Sequence, residues 1–295
     1  MHINKQELIK EMISVTMLSG YMYCKRKLYL EYVLRIVEPP KDSLVKGSIR
    51  HQATDKANKQ EKQIITTIKE EDGQTEILDK YVKEYSKILR ETIHKNGENL
   101  RKVRLTLIDA YNQAWRHFKN QAELRAENVS KFKKETGLSG QELWQKLTPK
   151  IKSEIRIESQ KLGLKGIIDV LEVFRDNLVP LELKTGKAPQ EGVWPGHKIQ
   201  LAAYMLLLSE KYSTNIKEGF IEYLDTKEKR EIIMNPLLAE EVIQTTTEVK
   251  ELLKNKQIPE ICDNENKCAA CGLKQQCYDN ELLNQRTQLL NRTTP

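Results

Sequence analysis

The chain of 295 residues is 39% hydrophobic and 31% charged, which excludes a disordered polypeptide and leaves enough apolar material for one or two packed domains. Lysine and arginine exceed aspartate and glutamate by 49 − 42 = 7, a balance that permits a phosphate-bearing partner without demanding one. The most apolar stretch, Leu201–Leu208, is too short to span a membrane, and the opening MHINKQELIKEM has no apolar run, so neither membrane insertion nor a secretory leader is expected and a cytoplasmic location is.

Ser14 and Thr16 precede SGYMYCKRKLYLEYVL, which reads as one aromatic and basic helix reaching residue 34. Pro39 and Pro40 break it, and Gly47 precedes a second helix that carries His51. From residue 52 to 147 the pattern is helical and strongly charged. Ile77, Leu78, Tyr81, Val82, Tyr85, Ile88 and Leu89 recur at helical spacing, as do Ile108, Tyr111, Trp115 and Phe118. No chemical motif falls here, so this segment reads as a helical insertion with a core stripe and a solvated face; a clamp over a substrate is the sharper alternative.

At residue 151 the period changes. Ile151, Ile155 and Ile157 alternate with polar neighbours, LGLKGIIDVLEVF follows, and a turn at residues 175–177 leads into LVPLELKTG, together predicting a three-strand meander. Pro195 and Gly196 close the next loop, before a leucine-rich helix from His197 to about Tyr212. GFIEYLDT and KREIIMN then read as a hairpin, and a charged helix over 237–255 leads to a cysteine-rich tail. Helices around a compact sheet place the chain in the α/β or α+β class.

The chemistry is concentrated in GIID (166–169), ELK (182–184) and QLAAY (200–204). Alternation puts Glu182 and Lys184 on one strand face, and a hairpin brings Asp169 alongside from the end of the preceding strand. Two converging carboxylates suit a hard cation such as Mg²⁺ or Mn²⁺, with His51 and the Leu183 carbonyl as further ligands. Lys184 is then positioned to orient water or neutralise charge developing on a phosphodiester. Gln200 and Tyr204, four apart on a helix, share a face from which they can hydrogen-bond a substrate. An ExK pair is usually a surface ladder, but ELK is flanked by apolar residues on both sides, unlike a solvated strand.

Of the five cysteines, Cys262, Cys268, Cys271 and Cys277 crowd into the tail while Cys24 stands alone upstream. In a reducing compartment such a cluster reads as a metal site, and the odd count leaves one thiol over. The Cx5CxxCx5C spacing of residues 262–277 is itself compatible with a local zinc site.

The order His51, GIID, ELK, QxxxY resembles the RecB-like branch of the PD-(D/E)xK nucleases. One upstream cysteine with CAAC (268–271) and Cys277 resembles, within it, the CRISPR-associated Cas-four nucleases and the nuclease domain of the Dna-two helicase-nucleases. VTMLSGYMYCKRKLYLEY and SQKLGLKGIIDVLE are especially similar to the first group, and the likeness covers residues 14–54 and 151–280. The resemblance implies a restriction-endonuclease-like core, a central mixed sheet flanked by helices. It divides the chain into N-terminal helices (1–54), the insertion (55–150), core sheet and QxxxY helix (151–258) and an iron–sulfur tail (259–295). It implies His51, Asp169 and Glu182 as ligands of Mg²⁺ or Mn²⁺, with Lys184 as catalytic lysine. Gln200 and Tyr204 become the QxxxY pair, and Cys24, Cys268, Cys271 and Cys277 hold a [4Fe–4S] cluster, with Cys262 free. The function implied is an exonuclease or flap-trimming nuclease on single-stranded DNA or DNA ends, processing prespacers beside a CRISPR integrase. The alternatives are a mobile-element nuclease working with a separate helicase, since no GxxxxGK[ST] loop is present, and a non-catalytic DNA-binding subunit.

Overall fold

Helices give way to a sheet at residue 150, and the two regions bury separate apolar clusters. In the computed structural model the described residues are 12–255 and 257–293, so the leader reading of residues 1–11 lies outside them. After the short β1 (Ile13–Ser14), the expected single N-terminal helix is two, α1 (Val15–Tyr23) and α2 (Lys25–Tyr32). Cys24 separates them in an extended conformation (φ −165°, ψ 113°). Its N–H donates to Gly20 O, closing α1, and its sulfur accepts from Lys27 N, opening α2. A side chain that caps the next helix competes with helix continuation, which is why the run breaks there.

The second helix, α3 (Asp42–Thr66), begins earlier than expected and contains Gly47, whose missing side chain lets the helix approach Thr185. There follow α4 (Gln74–Lys95), α5 (Gly97–Lys102), α6 (Leu107–Thr136) and α7 (Gly140–Lys146). Thr106 caps α6 through its hydroxyl, and Gly137, at φ +68°, ends it in the left-handed turn that glycine adopts without strain. The apolar stripes of α3, α4 and α6 meet in one cluster, with Ile65, Tyr81, Leu89 and Phe118 all but excluded from solvent.

The meander is β2 (Lys150–Ser159), β3 (Leu164–Val173) and β4 (Leu178–Lys184). Helix α8 (Pro195–Tyr212) then crosses over to β5 (Glu218–Tyr223), which pairs with β6 (Glu228–Ile233). The β4–β5 pair is parallel, as the helical crossover requires, while the other long pairs are antiparallel. The sheet thus runs β2-β3-β4-β5-β6, with β1 lying parallel to the first residues of β3. Helix α8 is buried nearly all round, with Ile199, Leu201, Met205 and Leu208 packed between the sheet and α1. Burying one such side chain fully contributes roughly 1.5–3 kcal/mol, so this helix is the sheet's main support. The opposite sheet face, with Val170, Leu181 and Leu183, turns toward the helical insertion. Beyond α9 (Pro236–Lys254) the tail forms α10 (Glu265–Ala270), α11 (Lys274–Tyr278) and α12 (Asn280–Thr293), packed on α2 through Leu273 and Leu283.

Candidate active site and cysteine cage

Asp169 was expected at a strand end, but it lies inside β3, where the side-chain alternation slips by one residue. Leu164 and Ile168 face α8, Val170 faces the other way, and Leu171 and Val173 face α8 again. Opposite this step, Ser153 pairs with Val170 and Ile155 with Ile168, while Glu154 between them has φ +52°. The register is the same on both sides, so the ladder is interrupted at this one position without an extra residue, and the side chains are re-aimed there. The result is a cluster in which ligand atoms of His51, Glu154 and Asp169 lie within 4.8 Å of one another. His51 reaches in from α3, its Nδ1 3.4 Å from Asp169 Oδ1. Asp169 Oδ2 accepts the Leu183 N–H at 2.8 Å, beyond the Val170–Leu181 pair that ends the β3–β4 ladder. A residue's N–H and C=O leave a strand on the same edge, so the Leu183 carbonyl also points toward the Asp169 side.

Glu182 and Lys184 face α8, as alternation requires. Glu182 is 4% exposed. Its Oε1 accepts from Lys184 Nζ (2.9 Å) and from Gln200 Nε2 (2.6 Å), while Gln200 Oε1 accepts from Lys184 Nζ (2.8 Å). The three side chains therefore form a closed ring of hydrogen bonds. Glu182 Oε2 has no partner at all despite its burial. An orphaned, buried carboxylate oxygen costs free energy unless something charged completes it. His51, Glu154 and Asp169 offer one imidazole and two carboxylates that fit a hard divalent ion, while Glu182 stands outside that group. Burial pushes the Glu182 carboxyl up to about 7, with Asp169 adding to the rise and Lys184 opposing it. Burial works against an imidazolium at His51, yet the hydrogen bond to Asp169 and the charges of Asp169 and Glu182 raise its pKa. Glu154 is also raised, by burial first and Asp169 second.

Gln200 and Tyr204, expected to touch substrate, are 3% and 1% exposed. Gln200 spends its amide on Glu182 and Lys184, and the Tyr204 ring lies against Gly166, where any side chain would collide with it at 2.6 Å. Gln200 thus braces Glu182 and Lys184, while Tyr204 packs on β3. Glu154 is the residue that the sequence reading missed; counting back across the β2–β3 hairpin from Asp169 reaches it. Arg50, next to His51, is ion-paired with Asp225, which also accepts the Gly186 N–H at 2.8 Å. That link ties α3 to the loop following Lys184.

Away from these residues, Cys24, Cys262, Cys268, Cys271 and Cys277 all line one cavity, beside Lys27 and Lys267. Arg26 clamps the tail to α2: Nη1 donates to Pro259 O (2.6 Å), Nη2 to Cys277 O (3.1 Å) and Nε to Cys277 Sγ (3.1 Å). Tyr23 donates to Lys267 O at 2.9 Å and Lys41 to Ala270 O at 2.8 Å. Burial raises the Cys24 thiol, although the Lys27 N–H opposes it. Among the described residues no three of these sulfurs lie within 4.8 Å of one another. The donor set, thiols lining one cavity beside lysines, fits a thiolate-bound metal centre. No helix among the described residues is long and apolar enough to cross a membrane.

The model of the PD-(D/E)XK nuclease superfamily matches residues 12–278. The CRISPR-associated exonuclease Cas4/endonuclease Cas1 fusion of Leptospira interrogans is 30% identical over 154 residues, 48% of this chain and 28% of that protein. The CRISPR-associated exonuclease Cas4 of Rhodospirillum rubrum is 27% identical over 144 residues, 48% of this chain and 43% of that protein. The DNA replication ATP-dependent helicase/nuclease JHS1 of Arabidopsis thaliana is 25% identical over 280 residues, 88% of this chain and 20% of that protein. The chain thus spans less than half the length of each of these relatives. With a six-stranded mixed sheet flanked by helices and a family match over most of its length, the chain belongs to the PD-(D/E)XK nuclease superfamily.

Proposed function

We propose that the protein is a divalent-metal-dependent deoxyribonuclease that trims single-stranded DNA ends or flaps, with Asp169, Glu182 and Lys184 as its catalytic residues. The observation that carries this reading is Glu182: a buried carboxylate with one oxygen fixed by Lys184 and Gln200 and the other unpartnered. His51, Asp169, Glu182 and the Leu183 carbonyl would hold Mg²⁺ or Mn²⁺, with Glu154 as an additional carboxylate. The ion, when bound, polarises the scissile phosphodiester and makes water a stronger nucleophile at neutral pH. Lys184 uses two of its three N–H groups on Glu182 and Gln200, which leaves one for the attacking water or a phosphate oxygen. Gln200 holds both partners in that geometry, and Tyr204 backs the β3 strand at Gly166.

Cys24, Cys268, Cys271 and Cys277 are assigned to a [4Fe–4S] cluster that fastens the tail to the N-terminal helices, with Cys262 as the surplus thiol. The relatives named Cas4 and the Cas4/Cas1 fusion support a role in trimming prespacers beside a CRISPR integrase. The helicase/nuclease relative, matched over 88% of this chain, favours a second reading, a replication or recombination nuclease served by a separate helicase. The nuclease itself is tested by digesting end-labelled single-stranded DNA with anaerobically purified protein, in Mn²⁺ or in EDTA, beside Lys184→Ala. Cleavage that needs the metal and vanishes in the variant is expected. No cleavage by cluster-loaded protein, or equal cleavage by the variant, overturns the enzymatic reading in favour of a DNA-binding subunit.

A further inference from the structure

Trp194 stands at the N-cap of α8, six residues before Gln200, and its side chain is 48% exposed. A single exposed aromatic is ordinary on a protein surface. This one differs in how firmly it is held and in what it stands beside. Its indole Nε1 donates to Lys187 O at 3.1 Å, bracing the ring across the 187–194 loop. Its backbone N–H donates to the Tyr223 hydroxyl at 3.3 Å. Arg230 donates to Gly192 O, pinning the same loop from β6. The loop is therefore fixed at three points, while the apolar ring that it carries stays half open to solvent.

The same contacts tie Trp194 to the cleft. Tyr223 is the β5 partner of Lys184, and its hydroxyl lies 3.2 Å from His197 Nδ1. Burial, and then the Lys184 charge, push the His197 pKa down to about 3, so the imidazole is neutral. Lys187 and Lys198 flank Trp194 along the chain, where they can track a phosphate backbone. A rigid aromatic face among cations is the arrangement with which proteins stack the bases of single strands without reading their sequence.

We propose that Trp194 is a base-stacking platform that seats one nucleobase of the single-stranded substrate beside the site of cleavage. The inference rests on the DNA-nuclease reading and extends it to a substrate-positioning residue. An ordered stack raises the occupancy of the correct phosphate at the metal site, so its loss acts on KM before kcat.

The test uses the full-length protein in EDTA, where no cleavage occurs, with a 15-nucleotide oligothymidine as probe. Binding measured by anisotropy should be accompanied by quenched tryptophan fluorescence in wild type and by little quenching in Trp194→Phe, since Trp115 and Trp144 pack in the helical cluster. In Mn²⁺, Trp194→Ala should raise KM about tenfold, the scale expected for one lost stack, with kcat within twofold. A scan of single abasic sites along the oligonucleotide should find one position that weakens wild type and leaves Trp194→Ala unaffected. Unquenched binding by wild type, or an abasic scan identical in wild type and Trp194→Ala, overturns the platform while leaving the nuclease intact. Failure of wild type to bind any oligonucleotide overturns both.

Discussion

The two donor clusters of this protein are built by opposite means. The cleft draws hard oxygen and nitrogen donors from the interior of long elements: Glu182 from β4, Asp169 from β3, Glu154 from β2 and His51 from a 25-residue helix. Its central carboxylate is almost fully buried and locked by hydrogen bonds of 2.6 and 2.9 Å. The cage draws soft thiols from short pieces. Cys268 sits in a six-residue helix and Cys277 in a five-residue one, while Cys24 and Cys271 are extended caps. The tail itself contributes two buried apolar side chains, Leu273 and Leu283, to the cluster it shares with Tyr29, Leu30, Leu34 and Ile36. The fold pre-arranges the cleft, whereas the tail would depend on the cluster proposed for it. Removing a donor should therefore cost chemistry at the first site and structure at the second.

That contrast can be broken most directly at Asp169. Asp169→Ala should lower cleavage of single-stranded DNA at saturating Mn²⁺ by about a thousandfold or more, on the scale of losing a preorganised charge-stabilising group. Its iron content and circular dichroism should match wild type; a variant that loses its cluster as well would erase the separation between the sites. Gln200→Leu should reduce kcat by roughly 10–100-fold, the usual cost of an outer-shell partner, because Glu182 and Lys184 both lose their brace. Unchanged kcat would show that Lys184 holds Glu182 unaided.

At the cage, Cys24→Ser should strip most of the iron and loosen the tail to limited proteolysis, whereas Cys262→Ser should retain both iron and visible absorbance. Equal iron losses would mean that the surplus thiol has been misassigned. Glu154→Gln should weaken Mn²⁺ activation about tenfold with a smaller change in kcat, read from metal titrations of activity. No shift in the titration would remove Glu154 from the metal site.

The smallest effect concerns neither site but the helices between them. His117 on α6 is 5% exposed, and burial, followed by the charges of Arg50 and Lys227, pushes its pKa down to about 4. Between that value and an unfolded value near 6.5, the unfolded chain binds a proton that the folded protein refuses, so stability is lost as pH falls. From pH 7.5 to 5.5 this one group should cost on the order of 1 kcal/mol. Urea midpoints should fall less over that interval in His117→Gln than in wild type, and parallel declines would dismiss the histidine as the cause.

The sheet was legible because alternation announces β2 and turns bracket the apolar runs of β3 and β4, and the cleft because His51, Asp169, Glu182 and Lys184 fall in a recognisable order. Features that depend on register were hidden. Glu154 looks like any polar residue on a strand, and only its positive φ opposite Asp169, within an unbroken β2–β3 register, sets it apart. Gln200 and Tyr204 read as substrate contacts because helical spacing reveals a shared face but not what covers it. Cys24 falls in a run with unbroken helical propensity, and only its sulfur acting as a cap stops the helix. Local pattern announces the elements; the exceptions come from partners far along the chain.

The clamp between Arg26 and Cys277 joins residues 251 positions apart. During translation at 5–20 residues per second, Arg26 and its neighbour Cys24 wait roughly 10–50 s before their counterparts leave the ribosome. Every strand of the sheet has been synthesised by residue 233, ahead of the last three tail cysteines. A cluster held as proposed would therefore close only after every strand of the sheet has been made.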